Sequence, residues 1–305
     1  MWGVTANGTH LFVPCFGSTR KLPMNLLSIQ SHVAYGHVGN ASAVFPLQRL
    51  GVEVWPIHTV QFSNHTGYGA WRGQVFDASV IADLVEGIAE RGVLPRCDGV
   101  LSGYMGSAEI GAGILGAVER VRAANPNADY CCDPVIGDVG RGVFVLPGIP
   151  EFMRDQAVPA ADVITPNQFE LELLSARQVV DLEDALAACA VLQKRGPKAV
   201  LVTSLHTRET PKESIDLLAC GPDGRFLVRT PRLEVSLNGA GDAIAALFFF
   251  HVKRTGSTAE ALSAAASSIF CLLERTEKAH SRELLLVEAQ EEFVSPSKVF
   301  TPMAV

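Results

Sequence analysis

Short apolar runs alternate with segments of helical periodicity along most of the chain. The first apolar run covers residues 25–31, and a helical pattern at 41–50 follows the glycine-rich loop 36–40. Gly51 stops that helix, and the next apolar run covers residues 52–57. A parallel strand pair needs a crossover, usually a helix, so this strand–loop–helix–strand opening predicts a parallel sheet.

The same alternation continues toward the end of the chain. Amphipathic helices are predicted at residues 77–91 and 107–124, with a strand between them. Further predicted elements are strands that start near 130, 161 and 199, a helix at 182–194, a hairpin around 221–224, and helices from 257 to 293. The predicted fold class is α/β: three α/β/α layers, with a central, mostly parallel sheet flanked by helices and a small edge flap.

A glycine turn directly before a long apolar helix carries the candidate chemistry. Gly239-Ala240-Gly241-Asp242 precedes the apolar residues 243–248. Glycine tolerates the backbone angles of a tight turn, and the free N–H groups and dipole of a helix N-terminus bind anions. Asp242 can orient or deprotonate a hydroxyl, so the stretch suits phosphoryl transfer. The alternative is an ordinary glycine turn with an N-capping aspartate.

Polar residues follow the ends of several predicted strands, which is where ligands bind in parallel sheets. Ser31 ends the first strand, and Asp133 and Asp138 follow a later one. Paired acids there suit a hydrated Mg²⁺ held near phosphates, although two solvated loop acids would give the same pattern. The glycine-containing residues 139–146 are a candidate lid over a phosphate site.

A second strand end is followed by a turn and a helix. Pro166 is predicted to lie in the first turn of that helix, where proline is favoured. Asn167 and Glu170 are three residues apart and would share one helix face, where they can organise metal-bound water and phosphate oxygens. A first-turn preference for acidic side chains is the alternative explanation. Thr203 and Ser204 place hydroxyl groups at the end of the next strand.

Residues 60–69 are dense in polar and aromatic side chains. Such a segment suits a wall around a planar heteroaromatic ligand, although a flap whose aromatics pack on its own sheet would have the same composition. Gly111, Gly113 and Gly116 match the dinucleotide fingerprint, which must lie in the turn directly after a strand. They lie inside a helix that starts at Ser107, so helix–sheet packing explains them better.

Composition narrows the function further. The chain has 305 residues, 48% hydrophobic and 19% charged, which indicates a substantial core. A net charge of −7 argues against non-specific nucleic-acid binding, and no apolar run is long enough to span a membrane. The seven cysteines lack zinc spacing, so we expect reduced thiols in a cytoplasmic protein. Residues 1–23 are interpreted as a flexible extension and 24–305 as one domain.

Taken together, these residues resemble pyridoxal kinases, within the ribokinase-like superfamily. The resemblance covers residues 25–289, and the runs at 60–68 and 164–170 are its most specific parts. The motifs that carry it are Ser28-Ile29-Gln30-Ser31-His32, Phe45-Pro46-Leu47-Gln48, Val60-Gln61-Phe62-Ser63-Asn64-His65-Thr66-Gly67-Tyr68, Gly103-Tyr104, Cys132-Asp133-Pro134-Val135, Gly137-Asp138, Ile164-Thr165-Pro166-Asn167-Gln168-Phe169-Glu170 and Gly239-Ala240-Gly241-Asp242.

The resemblance implies transfer of the γ-phosphoryl group of ATP to the 5′-hydroxyl of pyridoxal, pyridoxine or pyridoxamine. It implies a homodimer, Mg²⁺ as activator and a monovalent cation such as K⁺. Asp242 resembles the base, and the amides of Gly239, Ala240 and Gly241 resemble the anion hole. Residues that resemble vitamin contacts are Ser31, Val60, Phe62, His65, Thr66 and Tyr104. Residues that resemble the ATP and cation side are Asp133, Asp138, Thr165, Asn167, Glu170, Thr203, Ser204, Gly239 and Gly241.

Ala240 departs from the pattern, because many similar proteins have threonine there. Alanine keeps the backbone donor but lacks the side-chain hydroxyl. Three alternatives to a vitamin B6 kinase stay open: a hydroxymethylpyrimidine kinase, a non-catalytic binder with this fold, and a dinucleotide-dependent oxidoreductase. The run at 60–68 favours B6, and the presence of Asp242, Glu170 and Asp133 favours catalysis.

Overall fold

The computed structural model describes residues 24–235 and 237–305, so the predicted N-terminal extension lies outside the described residues. The strands are β1 (Asn25–Tyr35), β2 (Glu53–Asn64), β3 (Gly73–Val75), β4 (Gly99–Ser102), β5 (Asp129–Cys132), β6 (Gly137–Asp138), β7 (Gly142–Val143), β8 (Val163–Ile164), β9 (Ala199–Leu205), β10 (Ser214–Gly221), β11 (Gly224–Pro231) and β12 (Met303–Ala304). The helices are α1 (Asn40–Arg49), α2 (Ala78–Glu90), α3 (Ala108–Ala124), α4 (Ile149–Phe152), α5 (Val158–Ala160), α6 (Gln168–Ser175), α7 (Leu182–Gln193), α8 (Ala240–Thr255) and α9 (Thr258–Lys278).

The main sheet has ten strands in the order β12-β11-β10-β9-β8-β5-β4-β1-β2-β3. The six strands from β9 to β2 are parallel to one another, and the outer strands pair antiparallel. This confirms the predicted α/β class with a mostly parallel sheet. The chain leaves β1 toward β2 on one side and returns to β4 on the other, so the strand order reverses at β1. A crevice at the carboxyl ends of the strands is expected at such a reversal.

Alternation along the strands explains why helices cover both faces of the sheet. Successive strand residues point to opposite faces, and both members of a pair such as Leu26 and Leu27 are fully buried. Leu26 lies in the core formed with α1, α8 and α9, whereas Leu27 lies in the core formed with α2, α3, α6 and α7. The sheet is therefore the middle of three layers, as the sequence predicts.

Several predicted boundaries differ from the structure. Strand β1 continues past Ser31 to Tyr35, and β2 continues to Asn64, so part of the predicted flap is the end of a central strand. The prediction that Pro166 lies in the first helical turn is wrong, because α6 begins at Gln168 with Asn167 as its N-cap. The C-terminal region holds one α-helix, α9, followed by turns and a short 3₁₀ helix at Gln290–Phe293.

Other local predictions are confirmed. The glycines of the 111–116 run lie inside α3, whose N-cap Ser107 accepts a hydrogen bond from the amide of Ile110. A Cβ on Gly111 would lie 2.4 Å from the ring of Phe152, so this glycine permits close packing. Strands β10 and β11 form the predicted hairpin. Among the described residues, no helix has both the length and the apolarity needed to cross a membrane.

Candidate active site

The glycine turn at the start of α8 faces open space. Gly239 is the N-cap and has a φ of 91°, in the left-handed region that favours glycine. A Cβ there would lie 1.7 Å from the carbonyl oxygen of His37, so any side chain would collide with the backbone. The hydroxyl of Ser42 donates to the carbonyl of Gly239 over 2.8 Å. A Cβ on Gly241 would meet no atom within 4 Å. The turn is therefore packed against the His37 backbone at Gly239 and open at Gly241.

Asp242 lies in the first turn of α8, next to the end of β1. Its carboxylate accepts a hydrogen bond from the backbone amide of Gly39. The side chain keeps some exposure, but surrounding protein atoms displace water from the carboxyl group and raise its pKa to about 6. A Cβ on Gly39 would lie 2.2 Å from the carbonyl oxygen of Ser31, so Ser31 and Asp242 flank the same glycine.

Ser31 lies where the β1–β2 register shifts, between Gln30 and His32. The pairing of β1 with β4 ends at Ile29, so beyond that residue the sheet opens on one side of β1. Register irregularities of this kind re-aim side chains and are common beside active sites. The buried Ser31 therefore lies where the strand order leads us to expect a crevice.

Two further carboxyl groups lie at the carboxyl ends of the neighbouring strands. Asp133 follows β5 and accepts a hydrogen bond of 2.8 Å from the hydroxyl of Thr165, which follows β8. Burial, and next the charge of Asp242, raise the pKa of Asp133 to about 8. Burial, and next the charge of Asp133, raise the pKa of Glu170 to about 8. Asp242, Asp133 and Glu170 are thus a row of acids, in which the charge of Asp242 acts on Asp133 and the charge of Asp133 acts on Glu170.

Asn167 and Glu170 form a capping box rather than a shared helix face. The Asn167 side chain accepts from the amide of Glu170, and the Glu170 carboxylate accepts from the amide of Asn167, both over 2.9 Å. Glu170 also accepts from the amides of Ile136 and Gly137, and the Asn167 amide group donates to the carbonyl of Gly137 over 2.8 Å. These contacts connect the start of α6 to the β6–β7 hairpin.

The remaining residues that were predicted to contact ATP and cations lie in β6 and β9. Asp138 lies in β6, partly exposed, and its carboxylate accepts from the amide of Val139 over 2.7 Å. Thr203 lies near the end of β9 and donates its amide to the carbonyl of Pro166 over 2.9 Å. Ser204 is exposed and has a φ of 51°. The predicted lid at 139–146 includes the turn of the β6–β7 hairpin, whose Val139 is 65% exposed.

The aromatic segment after β2 reaches the glycine turn. His65 Nε2 lies 2.9 Å from Glu283 Oε1, and its Nδ1 lies 3.3 Å from the side-chain nitrogen Nδ2 of Asn238, the residue before Gly239. The Tyr68 hydroxyl donates to the same Glu283 oxygen over 2.7 Å. The predicted vitamin side and the predicted phosphoryl side therefore lie next to each other at one edge of the sheet.

The other predicted vitamin contacts differ in exposure. Val60 is buried, and Phe62 is half-buried with its ring 6.1 Å from that of Trp71. Thr66 is exposed at the tip of the segment. Tyr104 follows β4, and burial raises the pKa of its hydroxyl. Its carbonyl accepts a hydrogen bond from the hydroxyl of Thr59 over 2.8 Å.

Sequence reasoning missed three residues of this region. Glu283 lies after α9, in a stretch that was interpreted only as helical, and it contacts residues more than two hundred positions earlier. Gly39 and His37 contribute backbone groups, which no side-chain pattern reveals. The only signal was the glycine spacing of the loop at 36–40, which marked a turn without identifying its partner.

Comparisons with known proteins show which family the chain resembles over most of its length. A family model described as Phosphomethylpyrimidine kinase matches residues 79–281. Pyridoxal kinase PdxY of Granulibacter bethesdensis is 63% identical over 282 residues, 91% of this chain and 98% of the relative. Pyridoxal kinase PdxY of Deinococcus radiodurans is 58% identical over 288 residues, 92% of this chain and 97% of the relative.

The chain belongs to the pyridoxal kinase family. The structure of the Leishmania donovani pyridoxal kinase in complex with ADP and pyridoxamine superposes with a TM-score of 0.84 at 31% identity, covering 92% of this chain and 99% of the other. The complex of that kinase with ADP and ginkgotoxin gives a TM-score of 0.85 at 32% identity over the same shares of the two chains. Membership of the pyridoxal kinase family confirms the predicted ribokinase-like fold.

Proposed function

We propose that this chain is a pyridoxal kinase that transfers the γ-phosphoryl group of ATP to the 5′-hydroxyl of pyridoxal, pyridoxine or pyridoxamine. The observation that carries the proposal is the position of Asp242. Its carboxyl group lies in the first turn of α8, beside Gly39 and Ser31, and the turn before it opens to free space. A hydroxyl held there would have a base on one side and the helix N-terminus on the other.

Asp242 acts as the base in this mechanism. A pKa of about 6 leaves most of its carboxyl groups ionised at pH 7, so the group can accept the proton of the attacking hydroxyl. The hydroxyl oxygen then forms the bond to the γ-phosphorus as the bond to the bridging oxygen of ATP breaks, and ADP leaves. No covalent enzyme intermediate is needed, because positioning and charge stabilisation supply the catalysis.

The amides of Gly239, Ala240 and Gly241 act as the anion hole. The first N–H groups of α8 have no partner within the helix, and the helix dipole adds positive potential at the same point. A phosphoryl group in the open space before Gly241 would meet these donors. Ala240 supplies its amide to this cradle, and its side chain adds no hydrogen bond.

The vitamin binds on the side of the glycine turn that faces the aromatic segment at residues 60–69. Ser31, Thr66 and Tyr104 offer hydroxyl groups, and the rings of His65 and Tyr104 can contact the pyridine. Val60 and Phe62 supply apolar contact area. The closeness of His65 to Asn238, directly before the glycine turn, supports this arrangement, because it brings the flap beside the turn that precedes Asp242.

The nucleotide phosphates and the cations bind along the row of acids. Residues assigned to this side are Asp133, Asp138, Thr165, Asn167, Glu170, Thr203, Ser204, Gly239 and Gly241. Asp133 and Glu170 are buried carboxyl groups whose pKa values are raised first by burial and next by the charge of a neighbouring acid, so a cation near them relieves repulsion. This donor set fits Mg²⁺, which binds through oxygen ligands, often one or two carboxylates together with waters and substrate phosphates.

Bound Mg²⁺, held by Asp138, Thr165 and Glu170 directly or through water, would neutralise phosphate charge. A monovalent cation such as K⁺ is proposed as a second activator. The structure gives Glu170 three backbone donors, so we infer that its contact with the metal runs through water. Turnover with and without Mg²⁺, and in K⁺ against tetramethylammonium, tests the two cations separately.

We also propose that residues 24–305 form a single domain and that the protein is a cytoplasmic homodimer. The six cysteines in the described part of the chain are buried and free, which suits a reducing compartment. Light scattering of the purified protein measures the oligomeric state, and a monomer at working concentration would refute the dimer.

The decisive experiment mixes the purified protein with ATP, Mg²⁺ and each B6 vitamer and measures ADP release. Mass spectrometry identifies the product as the 5′-phosphate. Hydroxymethylpyrimidine is the competing substrate, because the matching family model carries the description Phosphomethylpyrimidine kinase. Faster turnover of hydroxymethylpyrimidine than of all three vitamers would overturn the assignment, as would an absence of ADP release.

A further inference from the structure

Glu283 joins three segments that are far apart in sequence. Its Oε1 atom accepts hydrogen bonds from His65 and Tyr68, over 2.9 and 2.7 Å. Its Oε2 atom accepts from the backbone amide of His37 over 3.0 Å. The Glu283 side chain is only 13% exposed and that of His65 11%, so these bonds are partly shielded from water. A carboxylate with several donors in such a place holds them firmly.

The partners of His65 define its proton arrangement. Nε2 faces the carboxylate of Glu283 and donates to it, and Nδ1 faces the side-chain nitrogen Nδ2 of Asn238 and accepts from it. One neutral tautomer satisfies both contacts. Glu283 therefore fixes the orientation of the His65 ring, and through Asn238 that ring is connected to the glycine turn.

The flap, defined as residues 60–75, depends on this connection. It has its own internal bonds, from Asn64 to the carbonyl of Ala70 and from the amide of Arg72 to Ser63. Residues 60–64 of the flap are the end of β2 and pair with β1, whereas residues 65–75 join the sheet only through β3, whose three residues are exposed. A short edge hairpin with exposed backbone is held mainly by its tertiary contacts, so the bonds to Glu283 determine whether it closes.

We propose that Glu283 is a positioning residue that closes the flap against the glycine turn and so sets the binding of the alcohol substrate. The inference rests on the proposed function, since it deepens the account of the vitamin side. Glu283 touches neither phosphoryl group nor substrate in this scheme. It acts through His65 and Tyr68, and its contact with His37 places the flap in register with the loop that carries Gly39.

The test replaces Glu283 by Gln, which keeps the size of the side chain and removes its charge. We expect the KM for pyridoxal to rise about tenfold or more, because charge-assisted hydrogen bonds are lost, while the KM for ATP changes less than about twofold. Hydrogen exchange of the amides at 60–75 should become faster. The melting temperature should stay within about 3 °C, since the sheet and both cores are untouched.

Two further variants make the test specific. Glu288→Gln is the matched control, because Glu288 is exposed five residues later, and it should leave kinetics and flap exchange unchanged. Tyr68→Phe removes one of the three bonds and should give a smaller effect, which nearly disappears in the Glu283→Gln background. Full additivity of the two substitutions would contradict a shared connection.

Unchanged exchange at 60–75 together with an unchanged KM for pyridoxal would overturn the inference. Equal rises in the KM for pyridoxal and for ATP, accompanied by a lower melting temperature, would also overturn it, since they indicate general destabilisation. Failure of the wild-type protein to phosphorylate any vitamer would refute the proposed function instead. In that case flap exchange in Glu283→Gln still decides whether the flap is held by this residue.

Discussion

Asp133 and Asp242 come from different elements, the end of β5 and the start of α8, yet the charge of Asp242 helps to raise the pKa of Asp133 to about 8. The parallel sheet brings them together, because the carboxyl ends of its strands and the N-terminus of α8 meet at one edge. Two acids held in this way repel each other when both are ionised. The site therefore favours either a proton or a cation between them.

Replacement of Asp242 by Asn should lower turnover strongly while nucleotide binding persists. The variant keeps the shape of the side chain but cannot accept the proton of the substrate hydroxyl, and general-base catalysis contributes typically ~10²–10⁴-fold. Steady-state kcat and the calorimetric Kd of ATP measure the two effects. Asp83→Asn, on the exposed face of α2, is the control and should match the wild type. A kcat for Asp242→Asn within a few-fold of wild type would show that the base has been assigned wrongly.

The stability of the ligand-free protein should fall as the pH rises from about 5 to about 8. Asp133 and Glu170 have folded-state pKa values of about 8, above those of the unfolded chain, so the folded state binds more protons in this range. Stability then decreases as the pH rises. The stabilisation that comes from binding these protons is complete only below about pH 4, the pKa of the same groups in the unfolded chain. Melting temperatures in a pH series, in the presence of EDTA, measure the slope.

Asp133→Asn should flatten that slope, since an amide does not titrate, and Asp83→Asn should not. Mg²⁺ with ADP should flatten it too, because a bound cation stabilises the ionised carboxylates. A melting temperature that rises steadily between these pH values in the wild-type protein would be incompatible with the raised pKa values.

Much of the fold could be predicted because its signals are local. The apolar runs that lead to Ser31, Asp133, Thr165 and Thr203 each specify a strand and a polar group at or near its carboxyl end, and parallel pairing brings those ends together. The glycine turn before α8 was recognisable because residue type alone restricts its backbone. The local sequence patterns favour the same strands and turns that the overall fold contains, which is typical of natural sequences.

The missed parts depend on long-range contacts that leave no local pattern. Glu283 gains its importance only because α9 returns the chain to the flap, and nothing within its own stretch marks it. The amide of Gly39 is a backbone group and has no sequence signature beyond glycine. Asn167 and Glu170 were expected on one face of a helix because Pro166 was placed inside it. A shift of the helix start to Gln168 turns the same pair into a capping box.

Gly239→Ala and Gly241→Ala should separate stability from activity. Alanine at 239 adopts a left-handed conformation, which costs about 1–2 kcal/mol, and its Cβ also collides with the carbonyl of His37. We expect a lower melting temperature and lost turnover for that variant. Alanine at 241 meets no protein atom, so its stability should equal or exceed wild type.

The same Cβ at position 241 projects into the space proposed for the phosphoryl group, so turnover should still fall. Thermal melts and kcat are measured for both variants. Normal activity of Gly241→Ala would contradict a phosphoryl group in that space, whereas an unchanged melting temperature of Gly239→Ala would contradict the constraint from His37.

The side chain of Asn167 makes two hydrogen bonds, and two different substitutions can separate their effects. Its oxygen caps α6, and its amide group donates to Gly137 in the β6–β7 hairpin. Asn167→Ser retains a capping oxygen but loses the second bond, whereas Asn167→Ala loses both. Loss of a cap costs about 1 kcal/mol, so the Ala variant should melt about 2 °C below the Ser variant.

If the bond to Gly137 orients Asp138 and the hairpin for ATP and Mg²⁺, both variants should raise the KM for ATP similarly while the KM for pyridoxal stays near wild type. A rise in the KM for ATP only in the less stable Ala variant would show instead that the cap, and not the contact with the hairpin, organises the nucleotide side. Gln193→Ala is a suitable control, since its amide also donates to a backbone carbonyl, that of Lys198, away from the row of acids.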